Sequence, residues 1–166
     1  MNYSKVKLFV ALGTQKFPFD RLVSELNKMI TDELYEAEDI VIQSTKYGEV
    51  TPLCTSYGTI PVEEFNDLMD SAEVVITHSG VNSILSGMER RKPLVIVPRI
   101  SKYGEHVDDH QLEIAKVMEE RYNVLVVKDM TNLRDAIKQA KTHQYLPYIS
   151  QRSRLISAVQ HIINEM

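Results

Sequence analysis

Residues 74–97, VVITHSGVNSILSGMERRKPLVIV, hold two short β-branched runs separated by a helical pattern. The runs at 74–77 and 94–97 are apolar without alternation, which is typical of strands buried on both faces of a parallel sheet. Between them, apolar residues recur at three- and four-residue steps, so we expect a helix that ends before Pro93. These apolar positions are Val81, Ile84, Leu85 and Met88. The stretch therefore predicts one βαβ unit.

The same succession of strands and helices extends over the rest of the chain. Apolar runs at 6–12, 40–42 and 124–127 predict further strands, and residues 50–54 predict a short additional one. Helical periodicity fills the intervals, and Thr131 is a plausible N-cap for the last of these helices. We expect a single doubly wound α/β domain over residues 1–166, with a mainly parallel sheet and helices on both faces.

Composition and charge exclude several classes of protein. The chain has 166 residues, 43% of them hydrophobic, and a net charge of −4. This balance disfavours a nucleic-acid partner, which would select a basic face. No apolar run approaches the about 18 residues of a membrane span, and a strand that starts at residue 6 leaves no room for a signal peptide. The single Cys54 is expected to be a buried, reduced thiol in a cytoplasmic protein.

Two strand-to-helix turns have the composition of phosphate-binding turns. One is Gly13-Thr14-Gln15-Lys16, and the other lies within residues 77–83, THSGVNS. A glycine lets the backbone approach a phosphate, and a helix N-terminus offers free N–H groups and a partial positive charge. Neither turn matches the dinucleotide or ATP fingerprints. The alternatives are a purely structural glycine turn, simple capping by Asn82 and Ser83, and a turn histidine at position 78.

A third polar segment, residues 98–111, follows the strand at 94–97 and reads PRISKYGEHVDDHQ. Its donors and acceptors suit a hydroxyl-rich ligand such as a sugar, and Arg99 and Lys102 could counter phosphate charge. The sugar-binding candidates are Glu105, His106, Asp109, His110 and Gln111. A metal site at His-x-x-Asp-His and a merely solvated loop are the alternatives.

Residues 77–115, THSGVNSILSGMERRKPLVIVPRISKYGEHVDDHQLEIA, resemble the C-terminal, donor-binding domain of family 28 glycosyltransferases. Within them, VPRISKYGEHVDDHQLEIA is especially similar to short bacterial capsule and exopolysaccharide glycosyltransferases. Those proteins resemble the catalytic subunit of the eukaryotic dolichol-linked N-acetylglucosaminyltransferase. FVALGTQKFPFDRL, residues 9–22, resembles the first strand and turn of the same family. The resemblance covers nearly the whole chain.

The resemblance implies the Rossmann-like donor half of a GT-B enzyme whose acceptor half is a separate, membrane-associated subunit. It implies inverting transfer of a hexose from a UDP-sugar to a lipid-linked saccharide, with no cofactor and no metal. The chain would be cytoplasmic and held at the inner face of the membrane through its partner. The implied donor-binding residues are Gly13, Thr14, Gln15, His78, Ser79, Gly80, Val81, Asn82, Ser83, Arg99, Glu105, His110 and Gln111. Uracil would lie near residues 57–60.

The resemblance implies that the catalytic base belongs to the partner, with His106 and Glu105 as the alternatives within this chain. One departure is Ser86, which stands where related cell-wall enzymes place a ribose-binding glutamate, and this favours the exopolysaccharide branch.

Residues 149–166 carry an apolar helical face that would pack on the sheet or dock on the partner. A non-catalytic regulatory subunit and an unrelated Rossmann-like enzyme are the competing functions. The missing GxGxxG motif argues against the second of these.

Overall fold

A computed structural model describes residues 6–151 and His161, and in this part of the chain six parallel strands form one sheet. The strands are β1 (Leu8–Ala11), β2 (Ile40–Gln43), β3 (Thr55–Tyr57), β4 (Val74–Thr77), β5 (Leu94–Ile96) and β6 (Leu125–Val126). The helices are α1 (Asp20–Thr31), α2 (Val62–Ser71), α3 (Val81–Glu89), α4 (His110–Tyr122) and α5 (Leu133–Ala140). The predicted doubly wound α/β class is confirmed.

Each face of the sheet is covered by its own set of helices. Helices α1 and α5 pack on one face through Leu22, Leu26 and Ile137. Helices α2, α3 and α4 pack on the other, where Leu68 and Ile84 are fully buried. Because both faces are covered, strands β1 and β4 are buried at every position, which is why their sequences are apolar without alternation.

The strand order is β3-β2-β1-β4-β5-β6, so the chain reverses its direction across the sheet between β1 and β4. Leu8 of β1 is in register with Ile40 of β2 on one side and with Val74 of β4 on the other. The carboxyl ends of β1 and β4 therefore lie side by side at the switch point, where open α/β sheets bind their ligands. Both glycine turns of the sequence follow these two strands.

Three local predictions are wrong. The third strand is Thr55–Tyr57 rather than 50–54, because it is an exposed edge strand without the apolar run of a central strand. Helix α1 begins only at Asp20, so the Gly13 turn does not lead directly into a helix. Thr131 is not the N-cap of α5, because it lies in a 3-10 turn where the Asp129 carboxylate accepts its N–H at 2.9 Å.

Beyond α5 the chain passes to the opposite face of the sheet. Tyr145 donates its hydroxyl to Lys92 O at 2.9 Å, and the Tyr148 ring lies 6.4 Å from the Tyr122 ring. The predicted terminal helix over residues 149–166 falls almost wholly outside the described residues. Among the helices described, none has the length and apolar character needed to cross a membrane.

Candidate functional site

The imidazole of His78 lies between the two glycine turns at the switch point. A β-carbon built on Gly13 would lie 2.8 Å from His78 Nε2, and one built on Gly80 would lie 2.6 Å from the same atom. Gly13 also has a φ of +70°, which favours glycine independently of the ring. The structure therefore brings Gly13, His78 and Gly80 together, and both glycines make room for the His78 side chain.

His78 is 7% exposed and its Nδ1 has no hydrogen-bond partner within the described residues. Burial lowers the pKa of His78 to about 4, and the nearby charges of Arg99 and His106 lower it further. A hydrogen bond with the Gln111 side chain acts in the opposite direction and raises it. The ring is therefore neutral at physiological pH. A neutral imidazole next to an open turn can donate from one nitrogen and accept at the other.

Helix α3 starts three residues after His78, and its N-terminus lies at the same switch point of the sheet. Its first intrahelical bond runs from Ile84 N to Gly80 O, so the N–H groups of Val81, Asn82 and Ser83 are free of intrahelical acceptors. The first turn carries no acidic residue. Ser79 is 1% exposed and its hydroxyl has no partner in the described part of the chain. This is a cluster of donors with a partial positive charge, suited to an anion.

Gln43, at the end of β2, was not among the predicted site residues. Its Oε1 accepts Gly13 N at 3.1 Å, and its Nε2 donates to Gly13 O at 3.3 Å and to Gly58 O at 3.0 Å. One buried amide thus joins the Gly13 turn to the turn after β3. The signal in the sequence was a single polar residue closing the apolar run at 40–42.

Arg99 has a different role from the predicted one. Its side chain is fully buried, and its terminal nitrogens donate to Leu12 O at 3.1 Å, to Phe17 O at 2.9 Å and to Glu105 O at 3.3 Å. Burial lowers the pKa of Arg99 to about 10, so it remains a cation. The expectation that Arg99 contacts phosphate is therefore corrected: it joins the segment after β1 to the loop after β5.

Glu105 is likewise occupied by the protein itself. Its Oε1 accepts Arg21 Nε at 2.6 Å and its Oε2 accepts Ile100 N at 2.8 Å, and the residue is 2% exposed. Arg21 also donates to Pro98 O at 2.7 Å and to Lys128 O at 2.8 Å. Both the sugar-binding and the catalytic predictions for Glu105 are corrected, because a buried carboxylate inside an ion pair is unavailable to either task.

The remaining candidates of the loop after β5, His106, His110 and Gln111, differ in burial. His106 Nδ1 lies 3.1 Å from Asp108 Oδ1, and the His106 ring is 5.8 Å from that of Phe17. His110 is exposed at the first position of α4, with its Nδ1 3.5 Å from Glu113. Gln111 is buried and its Oε1 accepts Arg99 N at 3.1 Å. The His106 side chain is thus only 16% exposed and packs against Phe17, whereas His110 is exposed and the buried Gln111 supports the loop.

Two further predictions concern single residues near the site. Ser86 Oγ accepts Arg90 Nη1 at 2.6 Å, so this hydroxyl belongs to a contact within α3. Asp109, part of the possible metal motif, accepts Ser101 N at 2.8 Å. Across residues 6–151 and His161, no group of three or more potential ligands gathers around one point.

Six parallel strands covered on both faces by helices are the Rossmann-like fold of one half of a GT-B glycosyltransferase, and the two glycine turns lie at its switch point. Solved structures agree on the fold. The match to the solution structure of ALG13 covers 89% of this chain and 90% of that protein, with a TM-score of 0.55 and 21% identity. The match to spinosyn forosaminyltransferase SpnP covers 84% of this chain and 36% of that protein, with a TM-score of 0.53 and 16% identity.

The sequence comparison identifies the family. The profile of the glycosyltransferase family 28 C-terminal domain matches residues 7–166, and the chain belongs to that family of glycosyltransferases. A curated relative is the UDP-N-acetylglucosamine transferase subunit ALG13 of Candida glabrata. The two are 25% identical over an alignment of 151 positions, which covers 86% of this chain and 67% of that protein. The resemblance to the family 28 C-terminal domain predicted from the sequence is confirmed.

Proposed function

We propose that this chain is the UDP-sugar-binding, catalytic subunit of a two-subunit inverting hexosyltransferase. The observation that carries the proposal is the meeting of the Gly13 turn, His78 and the α3 N-terminus at the switch point. The diphosphate would lie against Ser79 Oγ and the free N–H groups of Val81, Asn82 and Ser83. These groups face the place where charge develops as UDP leaves, and preorganised donors there stabilise the transition state.

The other donor contacts follow from the same placement. Thr14 and Gln15 are exposed on the Gly13 turn and would reach the phosphates from the opposite side. His110, at the first position of α4, would contact sugar hydroxyls, with Gln111 beside it. The turn at 57–60 would offer backbone groups to uracil. The hydrogen bond from Gln43 to Gly58 O holds this turn at a set distance from the Gly13 turn.

The acceptor hydroxyl must lose a proton to a base. Since Glu105 is occupied by Arg21, His106 is the remaining candidate in this chain, with the base of the partner subunit as the alternative. In the tautomer in which Nδ1 donates to Asp108, His106 Nε2 carries a lone pair that can take the proton.

The acceptor half would come from a membrane-associated partner, and a lipid-linked saccharide in capsule or exopolysaccharide synthesis would receive the hexose. The subunit name of the Candida glabrata relative supports a divided enzyme. Coexpression with a candidate acceptor subunit, assayed against a panel of UDP-sugars and lipid-linked acceptors, tests this. A folded complex without turnover of any donor would contradict the catalytic role.

Donor binding can be tested on the chain alone by calorimetric titration with UDP. Asn82→Asp places a negative charge at the α3 N-terminus, where it repels a diphosphate and favours the helix. We expect UDP affinity to fall by about tenfold or more, since like charges at close range repel strongly. Asn132→Asp, at the start of α5, is the matched control and should bind UDP like the unmodified chain. Equal affinities for the two variants would contradict the assigned diphosphate position.

A further inference from the structure

The buried guanidinium of Arg99 binds both ends of the Gly13 turn. Its Nη2 donates to Leu12 O at 3.1 Å, before the turn, and its Nη1 donates to Phe17 O at 2.9 Å, after the turn. The residues between these two carbonyls are 13–16, which the proposed function places on one side of the diphosphate. A single planar group with donors in a fixed geometry therefore holds the two ends of this turn in position.

The turn itself has main-chain donors that are free to bind a ligand. In the part of the chain that the structure describes, the N–H groups of Thr14, Gln15 and Lys16 have no acceptor. Successive free N–H groups in a turn form a concave site in which an anion can bind. The direction of these groups depends on the path of the backbone, and that path is set where the ends of the turn are held.

Stability alone does not account for a guanidinium at this place. The Arg99 side chain is fully buried, and its Nε has no hydrogen-bond partner among the described residues. The acceptors of its terminal nitrogens are main-chain carbonyls, not carboxylates. A buried cation without a hydrogen-bonded anion, and a buried N–H without an acceptor, both cost free energy. What Arg99 supplies in this position is a fixed shape for the turn.

Arg99 also connects the turn to the sheet. It lies three residues beyond β5, where its Nη1 donates to Glu105 O at 3.3 Å and its main-chain N–H donates to Gln111 Oε1 at 3.1 Å. On the other side of β1, Gln43 at the end of β2 holds Gly13 through its N–H and its carbonyl. The turn after β1 is thus held from both directions across the sheet.

We propose that Arg99 is a positioning residue for the diphosphate. Without touching the ligand, it holds the ends of the Gly13 turn so that the N–H groups of residues 14–16 are directed at the phosphates. The inference rests on the proposed function for the identity of the ligand, whereas the hold of Arg99 on the turn can also be measured in the free protein.

Arg99→Lys tests the proposal on the full chain, because lysine keeps the positive charge but presents one nitrogen in place of a planar fork. We expect UDP affinity in a calorimetric titration to fall about tenfold, since a turn that is no longer held must be ordered when the ligand binds. Arg134→Lys is the matched control, because Arg134 also has two partners, Glu25 and Asp32, and neither belongs to the turn. Its UDP affinity should equal that of the unmodified chain.

NMR spectra of the free variants separate positioning from stability. The amide signals of residues 14–16 should move or broaden in Arg99→Lys and stay unchanged in Arg134→Lys. Urea unfolding identifies a temperature at which both variants are fully folded, and the UDP titrations are done there, so that a loss of affinity does not come from unfolded protein.

If Arg99→Lys does not fold, the side-chain NMR signals of Arg99 in the unmodified chain decide. A guanidinium held through both terminal nitrogens rotates slowly about its Nε–Cζ bond and gives separate signals for Nη1 and Nη2. A single averaged signal would overturn the proposal.

Unchanged UDP affinity in Arg99→Lys would also overturn it, as would an equal loss of affinity in Arg99→Lys and Arg134→Lys. These results leave UDP binding by the unmodified chain intact. Absence of UDP binding by the unmodified chain is a different result, because it contradicts the proposed donor binding itself and removes the positioning role with it.

Discussion

Gly80 and His78 lie so close together that a β-carbon on Gly80 would be 2.5 Å from His78 Cε1. No real β-carbon contact is that short, so the glycine is required by the histidine as well as by any approach of a ligand. The two residues are a single unit at the carboxyl end of β4. The glycine of a turn that resembles a phosphate-binding turn is therefore also needed for packing, because it leaves room for the His78 ring.

Gly80→Ala should destabilise the protein because the new methyl group overlaps the His78 ring, and overpacking of this kind costs about 1–3 kcal/mol. The same substitution in a His78→Ala background should cost much less, since the ring is gone. Chemical denaturation of the four proteins in this cycle measures the coupling. Equal costs in both backgrounds would show that the glycine is needed for another reason.

Glu105→Gln should lower the free energy of unfolding by about 3–5 kcal/mol, because it leaves the largely buried Arg21 without its anion. Glu120→Gln, in the exposed pair with Lys116, should change stability by less than about 0.5 kcal/mol. Urea unfolding monitored by circular dichroism distinguishes the two. A Glu105→Gln variant of normal stability that has lost only transferase activity would restore a catalytic role for this carboxylate.

Stability should fall with acid below about pH 6.5, the ordinary pKa of histidine, because His78 is held neutral in the fold with a pKa of about 4. The unfolded chain takes up a proton in this window and the folded chain does not, so stability rises with pH from about 4 to 6.5. The contribution of His78 across the window is of the order of 3 kcal/mol.

Unfolding free energies at pH 7 and pH 5 measure this slope. It should be reduced in His78→Gln and retained in His110→Gln, whose ring is exposed. An unchanged slope in His78→Gln would show that other groups cause the acid sensitivity.

Gln43→Ala should weaken UDP binding by about tenfold, or about 1.4 kcal/mol, because the turns at Gly13 and Gly58 lose the three hydrogen bonds that hold them in position. Gln139→Ala, at an exposed position of α5, is the control and should bind UDP like the unmodified chain. Titration with UDP compares the two. Equal UDP affinities for the two variants would show that the hydrogen bonds of Gln43 do not position the donor site.

The secondary structure was predictable where burial is complete. Strands β1 and β4 have both faces covered, and this leaves an unmistakable apolar run in the sequence. Strand β3 was misplaced because Thr55 and Ser56 are exposed at the sheet edge, where apolar side chains are not selected.

The sequence by itself determined the fold class, the family and the residues of the two turns at the switch point, since these depend on local patterns and on the order of elements. Only the tertiary structure decided what the buried ionic residues do. Arg99 and Glu105 have the composition of ligand-binding groups, but their partners, Leu12 O and Arg21, are more than eighty positions away along the chain. A charged group is available to a ligand only if folding leaves it unpaired, and that depends on contacts between distant segments that no local pattern records.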